Sequence, residues 1–182
     1  MSNKDELIID NLESLAFILA AGDGISEEEG FAFESFRGRL GIYLQIQEAI
    51  FAYEKNKKLD EAMKFVKGAP IMHHEMTFGF SDNQMQVRED MEAVINSDDP
   101  MGEYESLIKL KASTVTEPFY QKIGLISIED VLSEDGMSSV ERSSLIILSR
   151  CWSLTLTKAN DWYHEYVHPI LEEANKLPPE FG

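Results

Sequence analysis

Apolar residues recur at helical spacing along most of the chain. Leu12, Leu15 and Leu19 follow one another by three and four residues, which places them on one face of a predicted helix from about Lys4 to Ala21. Similar patterns predict helices over residues 27–41, 43–54, 82–96, 100–113, 117–133, 138–156 and 158–176, with a shorter one over 59–66. No segment shows convincing strand alternation. The sequence therefore predicts an all-α fold of about seven or eight helices.

A seven-residue motif, Asp-Gly-apolar-Ser-x-x-Glu, occurs twice. It begins at Asp23 and again 112 residues later at Asp135, each time leading into a helical apolar pattern. Asp-Gly favours a tight turn. Ser-x-x-Glu is a capping box, in which Glu29 and Glu141 reach back to the first residue of the box. Each copy therefore predicts a helix, a tight turn and a second helix.

The repeat continues into the helix after each turn. At the same offset, one apolar face in each copy aligns with the other: Phe33, Phe36 and Leu40 with Leu145, Leu148 and Trp152. The two copies cover about residues 5–42 and 117–156. A single helical hairpin cannot cover its own apolar face. We therefore predict two pseudo-symmetric hairpins packed face to face in a single domain spanning residues 1–182, with the middle helices completing the core.

The composition indicates a folded, strongly acidic protein. Hydrophobic residues make up 43% of the chain, which argues against disorder, and the net charge of −17 argues against binding to a nucleic-acid backbone. The negative charge permits binding of a cation or of a basic protein partner. Asp5 and Glu6 interrupt any signal peptide, and no apolar stretch is long enough to span a bilayer, so we expect a cytoplasmic protein. Cys151, the only cysteine, lies beside Trp152 and is predicted to be a buried thiol.

The acidic turns are candidate cation sites. Asp23 with residues 27–29, and Asp135 with Glu134 or Glu141, would gather carboxylate oxygens of the kind that Ca²⁺ and Mg²⁺ prefer. The loop is too short for an EF-hand, so ligands from both copies or from water would be needed. The alternative is that these residues have a purely structural role, because the same residues shape a turn and favour a helix N-terminus.

The string Ala21-Gly22-Asp23-Gly24-Ile25-Ser26-x-x-Glu29, followed by an apolar helix, resembles the tellurite-resistance TerB family. The resemblance covers about residues 12–40 and, less closely, 128–154, where Ser133-Glu134 replaces Ala21-Gly22; residues 68–118 match nothing in the family. It implies an all-α fold with internal pseudosymmetry and a metal-binding acidic cluster at Asp23, Glu29, Asp135 and Glu141. It also implies a stress-response role in complexes with partner proteins, some membrane-associated, without an assigned catalytic activity.

A second pattern, His164-Glu165-Tyr166-Val167-His168, has the His-Glu-x-x-His spacing of zinc hydrolases. On a helix His164 and His168 would share one face, and Asp161 one turn earlier completes an alternative set of ligands for Zn²⁺. Pro169 disfavours helical geometry at His168, and too little chain follows for the usual third protease ligand. We therefore interpret the pattern as coincidental and keep a metal-dependent hydrolase as an alternative function.

The sequence thus predicts a non-catalytic TerB-like module that binds a partner protein, with a divalent cation at its acidic turns. Two alternatives remain: the hydrolase at His164 and His168, and an acidic interaction protein that mimics DNA or captures a basic partner. A homo-oligomer and peripheral association with a membrane complex also stay open. Nucleic acid is not an expected ligand.

Overall fold

The helices form where amphipathic patterns and caps predict them. The computed structural model describes residues 2–22, 27–72, 82–134 and 136–179, without the side chains of 27–32 and 34. Its α-helices are α1 (Asn3–Ala21), α2 (Glu27–Gln45), α3 (Gln47–Asn56), α4 (Leu59–Ala62), α5 (Asp82–Ile95), α6 (Pro100–Ala112), α7 (Pro118–Leu132), α8 (Ser139–Cys151), α9 (Leu156–Trp162) and α10 (His168–Asn175). A 3₁₀ turn (Met63–Phe65) extends α4, and a π-helical turn (Tyr163–Val167) joins α9 to α10. The all-α prediction is confirmed, since the described residues form no β-strand.

Side-chain caps fix several helix starts. Before α8, the Ser138 hydroxyl accepts from the Glu141 amide at 3.1 Å, and the Glu141 carboxylate accepts from the Ser138 amide at 3.0 Å, which confirms the predicted capping box. Asp99 caps α6 ahead of Pro100, since its side chain accepts from the Gly102 amide at 3.2 Å. The predicted box at Ser26 lies outside the described residues.

Some predicted helix boundaries were wrong by a few residues. Gly41 does not end α2, which continues to Gln45. Helix α8 ends at Cys151 rather than near residue 156, because Ser153 has a positive φ of 48° that an α-helix does not accommodate. Helix α9 then begins at Leu156 instead of Lys158, because the Thr155 hydroxyl accepts from the Lys158 amide at 3.1 Å.

The two hairpins, α1–α2 and α7–α8, face each other through α1 and α7. Helix α7 lies along both α1 and α2, and the middle helices α5 and α6 cover the rest of α1. The contact is close: a Cβ atom added at Gly124 in α7 would lie 2.5 Å from Leu12 Cδ2 in α1. The contacts are not equal on the two sides, because α2 packs extensively on α7 whereas α8 packs mainly on α6.

The aligned repeat positions all point into one core. The six residues have at most 8% of their surface exposed, and all belong to a single continuous apolar cluster: Phe33, Phe36, Leu40, Leu145, Leu148 and Trp152. In the preceding helices, Leu19 of α1 and Val131 of α7, which are also 112 residues apart, are both fully buried. Both copies of the repeat therefore contribute the same face to the same core.

The π-helical turn explains how α10 accommodates a proline in its first turn. His168 has helical φ and ψ of −56° and −45°, although Pro169 was expected to disfavour helical geometry there. The His168 amide donates to the Tyr163 carbonyl five residues back. This wider turn moves the backbone away from the proline ring, which would clash with the carbonyl four residues before it in an α-helix.

A buried carboxylate ties α1 to α2 and α5. Glu13, which is only 6% exposed, accepts from Arg37 and from Asn83, each at 3.3 Å. Arg37 also donates to Asp10 at 2.8 Å. Burial raises the pKa of Glu13 above its ordinary value, and the nearby Arg37 guanidinium only partly offsets that effect.

The raised pKa predicts a pH-dependent effect of Glu13→Gln. The folded state favours the protonated carboxyl, so the stability that Glu13 contributes is greatest below its unfolded pKa of about 4.5 and is lost as pH rises through the folded pKa. In urea unfolding from pH 4 to 7, the free energy of unfolding of the variant should therefore increase relative to that of the wild type as pH rises. Glu92→Gln, on the exposed side of α5, is the control. The raised pKa would be contradicted if the difference in free energy of unfolding between Glu13→Gln and the wild type did not change with pH. It would also be contradicted if the wild type became more stable relative to the variant as pH rose.

Candidate functional site

The structure describes only part of the predicted acidic cation site. Asp23 and Asp135 lie outside the described residues, as does the side chain of Glu29. Glu141 is described and belongs to the capping box of α8. Whether the two acidic turns share one site therefore stays a prediction.

Glu141 is more buried than a capping residue requires. The residue is 2% exposed, and its Oε1 atom accepts from the Ser138 amide. Its Oε2 atom is buried and, among the described residues, has no hydrogen-bond partner. Buried carboxylate oxygens normally have a partner, because an unsatisfied one costs about 1–3 kcal/mol or more. A cation is one partner that would satisfy this oxygen.

The histidine pattern lies on an exposed face. The rings of His164 and His168 are neighbours, with centroids 6.2 Å apart, and His168 Nε2 lies 3.2 Å from Glu172 Oε1. Asp161 is exposed one turn earlier. Within the described ranges, no three histidine, cysteine or acidic side chains are grouped so as to hold a metal ion. The structure therefore brings the two histidines together but does not gather Asp161 with them.

Cys151 is exposed, and the prediction of a buried thiol was wrong. The neighbouring Trp152 does point inward, where its indole Nε1 donates to the Ala112 carbonyl at 3.0 Å. Consecutive positions at a helix end differ in direction by about 100°. The burial of one residue therefore does not extend to the next.

An open groove runs along the outer side of α8, between the end of α7 and the connection to α9. Its volume is about 910 Å³. Its apolar lining includes Met137, Leu145, Ile146, Leu154 and Leu156. Ile146 lies there with 52% of its surface exposed. We call this feature the α8 groove.

Two arginines of α8, Arg142 and Arg150, also line the groove. Both are exposed, and neither forms a salt bridge with any described residue. The chain's other three arginines each lie within 4 Å of a carboxylate: Arg37 with Asp10 and Glu13, Arg39 with Asp130, and Arg88 with Glu92. Although the chain has a net charge of −17, the two groove arginines have no such partner among the residues that the structure describes.

Sequence reasoning missed the α8 groove, although one signal was present. Arg142, Ile146 and Arg150 are spaced by four residues and so share one helix face. The buried residues Leu148 and Trp152 belong to another face of the same segment. An isoleucine between two arginines on the polar face is the feature that pointed to the groove.

Comparison with known proteins adds no family. No protein-family model matches the chain, and no curated protein or solved structure matches it significantly. The resemblance to the TerB family therefore depends on the repeated motif alone. In the part of the chain that is described, no helix has both the length and the apolar character to cross a membrane.

Proposed function

We propose that this chain is a non-catalytic, TerB-like helical module that binds a partner protein through the α8 groove. The observation that supports this proposal is the α8 groove itself. Its exposed isoleucine, Ile146, is flanked by Arg142 and Arg150 above an apolar lining. Exposed apolar surface rimmed by polar groups is typical of protein-binding sites, and arginine is enriched at such interfaces.

The chemistry of the groove supports binding rather than catalysis. Its hydroxyl groups belong to Ser133, Ser149, Ser153 and Thr155, and its described lining contains no histidine or cysteine. A serine nucleophile needs a neighbouring base that takes its proton, most often a histidine. Among the described residues of the lining, Glu129 is the only one with a carboxylate, and it already accepts from the Ser133 hydroxyl at 3.0 Å.

A matched pair of surface variants tests this function. Ile146→Glu places a charge in the α8 groove, and Ile95→Glu makes the same change at an isoleucine of α5 that is 67% exposed. Both should keep the wild-type melting temperature, because exposed positions change stability by only about 0.5 kcal/mol. Proteins from the native cells that bind the wild type and Ile95→Glu, but not Ile146→Glu, are the expected result. Equal capture by all three proteins would contradict the proposal.

A divalent cation at the acidic turn is the second part of the proposal. The Oε2 atom of Glu141, which is buried and has no hydrogen-bond partner in the described part of the chain, supports it. The residues present fit a hard cation, because the motif offers carboxylates from Glu141 and Asp135, with Asp23 and Glu29 as the equivalents in the other copy. Such an ion would neutralise the crowded negative charge and so stabilise the turn.

Thermal unfolding with and without Ca²⁺ or Mg²⁺ tests the cation. An ion that binds only the folded state raises the melting temperature. Glu141→Gln should abolish that rise while folding normally, because glutamine also completes a capping box. Asp5→Asn, in the capping box that Ser2 forms at the start of α1, is the control and should keep the full response. If the wild type does not respond, or Glu141→Gln responds equally, the cation site is wrong.

A further inference from the structure

We infer that the segment held in the α8 groove is an acidic amphipathic helix of the partner. This inference rests on the proposed function, since it specifies what a protein-binding groove would bind. Three features of the groove support it: the charge of the groove, the spacing of its arginines, and the wall opposite α8, which includes Glu129 of α7. Each of them restricts the chemistry of the occupant.

The charge of the groove selects an acidic segment. Arg142 and Arg150 have no carboxylate partner among the described residues, whereas Arg37, Arg39 and Arg88 each have one. A basic segment would be repelled here, although the rest of a chain with a net charge of −17 would attract it. The repulsion of an acidic segment by the distant acidic surface is screened beyond about 8–10 Å at physiological salt. The local arginines therefore decide which segment is bound.

The spacing of the arginines favours a helix over a small anionic ligand. Arg150 follows Arg142 by eight positions in α8, a rise of about 12 Å along the helix axis. Ile146 lies midway between them. A partner helix lying along α8 can present two carboxylates seven or eight residues apart, with apolar side chains between them for the groove. An amphiphile with a single head group would leave one arginine without a partner.

The opposite wall orients the occupant. Glu129 of α7 lines the groove and accepts from Ser133, so a second carboxylate beside it would be repelled. The acidic residues of the partner must therefore face α8. Its apolar residues face Met137, Leu154 and Leu156, toward α7 and the connection to α9.

Selection from a displayed library of random 16-residue peptides tests the inference. The wild-type chain should enrich peptides with acidic residues seven or eight positions apart and apolar residues between them. Fluorescence anisotropy then compares binding of these peptides to the wild type, to Arg142→Glu/Arg150→Glu and to the milder Arg142→Gln/Arg150→Gln. We expect the charge reversal to weaken binding about tenfold or more. The control, Arg88→Glu on α5, should bind within about twofold of the wild type, and added salt should weaken binding.

Several outcomes would overturn the inference. These are a lack of enrichment, enrichment of neutral or basic peptides, or equal binding to both double variants and the wild type. Stoichiometric binding of dodecanoate that depends on one arginine, without peptide binding, would assign the groove to a lipid-like anion instead. If the arginine variants bind the peptides as well as the wild type does but Ile146→Glu does not, the inference of an acidic helix is wrong and the proposed function stands. If binding survives Ile146→Glu as well, the groove is not the binding site and both proposals fail.

Discussion

Replacing Phe36 by alanine is expected to lower the free energy of unfolding by about 3–5 kcal/mol. Phe36 is 1% exposed and lies in the continuous core. Leu148, fully buried at the equivalent position of the other repeat, should cost about 2–5 kcal/mol when truncated to alanine. Both losses are large for a domain of this size, whose total stability is of the order of 5–15 kcal/mol. Urea unfolding followed by circular dichroism measures them.

The comparison between the two copies makes this prediction specific. Leu110→Ala, at a leucine of α6 that is 65% exposed, is the control and should change stability by no more than about 0.5 kcal/mol. If only one of Phe36→Ala and Leu148→Ala is costly, the two repeats do not contribute equivalent faces to one core.

Gly124→Val should destabilise the protein about as much, because it overfills the core instead of leaving a cavity. A Cβ atom at Gly124 would lie 2.5 Å from Leu12 Cδ2, and Leu12 is fully buried, so it has little space in which to move. Overpacking of a close-packed core costs about 1–3 kcal/mol and sometimes more, and valine brings two methyl groups beyond Cβ. We expect a loss of about 3 kcal/mol in urea unfolding.

Gly41→Val is the matched control for this change. Gly41 also lies inside a helix, but an added Cβ there would meet no atom within 4 Å. Its substitution should change the free energy of unfolding by less than about 1 kcal/mol, because a helix gains slightly when glycine is replaced. Equal effects at Gly41 and Gly124 would mean that α1 and α7 do not approach as closely as described.

The helices were predictable because their signals are local. The apolar face of α1, the capping box of Ser138 and Glu141, and the Asp99-Pro100 start of α6 each depend on residues a few positions apart. The aligned apolar positions after the two turns also predicted that both copies face one core. The contact between Leu12 and Gly124 was not predicted, because it depends on how two distant helices cross.

The features that sequence reasoning missed depend on tertiary packing. The π-helical turn before Pro169 was missed because the rule for residues before proline describes an average, whereas the fully buried Val167 anchors this turn in the core. Cys151 is exposed because it points about 100° away from the buried Trp152 beside it. The α8 groove requires α7, α8 and the connection to α9 to be placed together. For the acidic turns, sequence supplied the motif, and Glu141 is the one member whose surroundings are described.

The central claim is that the two hairpins meet through α1 and α7, and a double-mutant cycle on Leu12 and Gly124 tests it most directly. In the wild type, Gly124→Ala forces a methyl group against Leu12. In a Leu12→Ala background the same change should fill space that the leucine vacated. We therefore predict that Gly124→Ala is more favourable in that background by about 1 kcal/mol or more. If its effect is the same in both backgrounds, to within about 0.3–0.5 kcal/mol, the two residues do not touch and the facing arrangement is wrong.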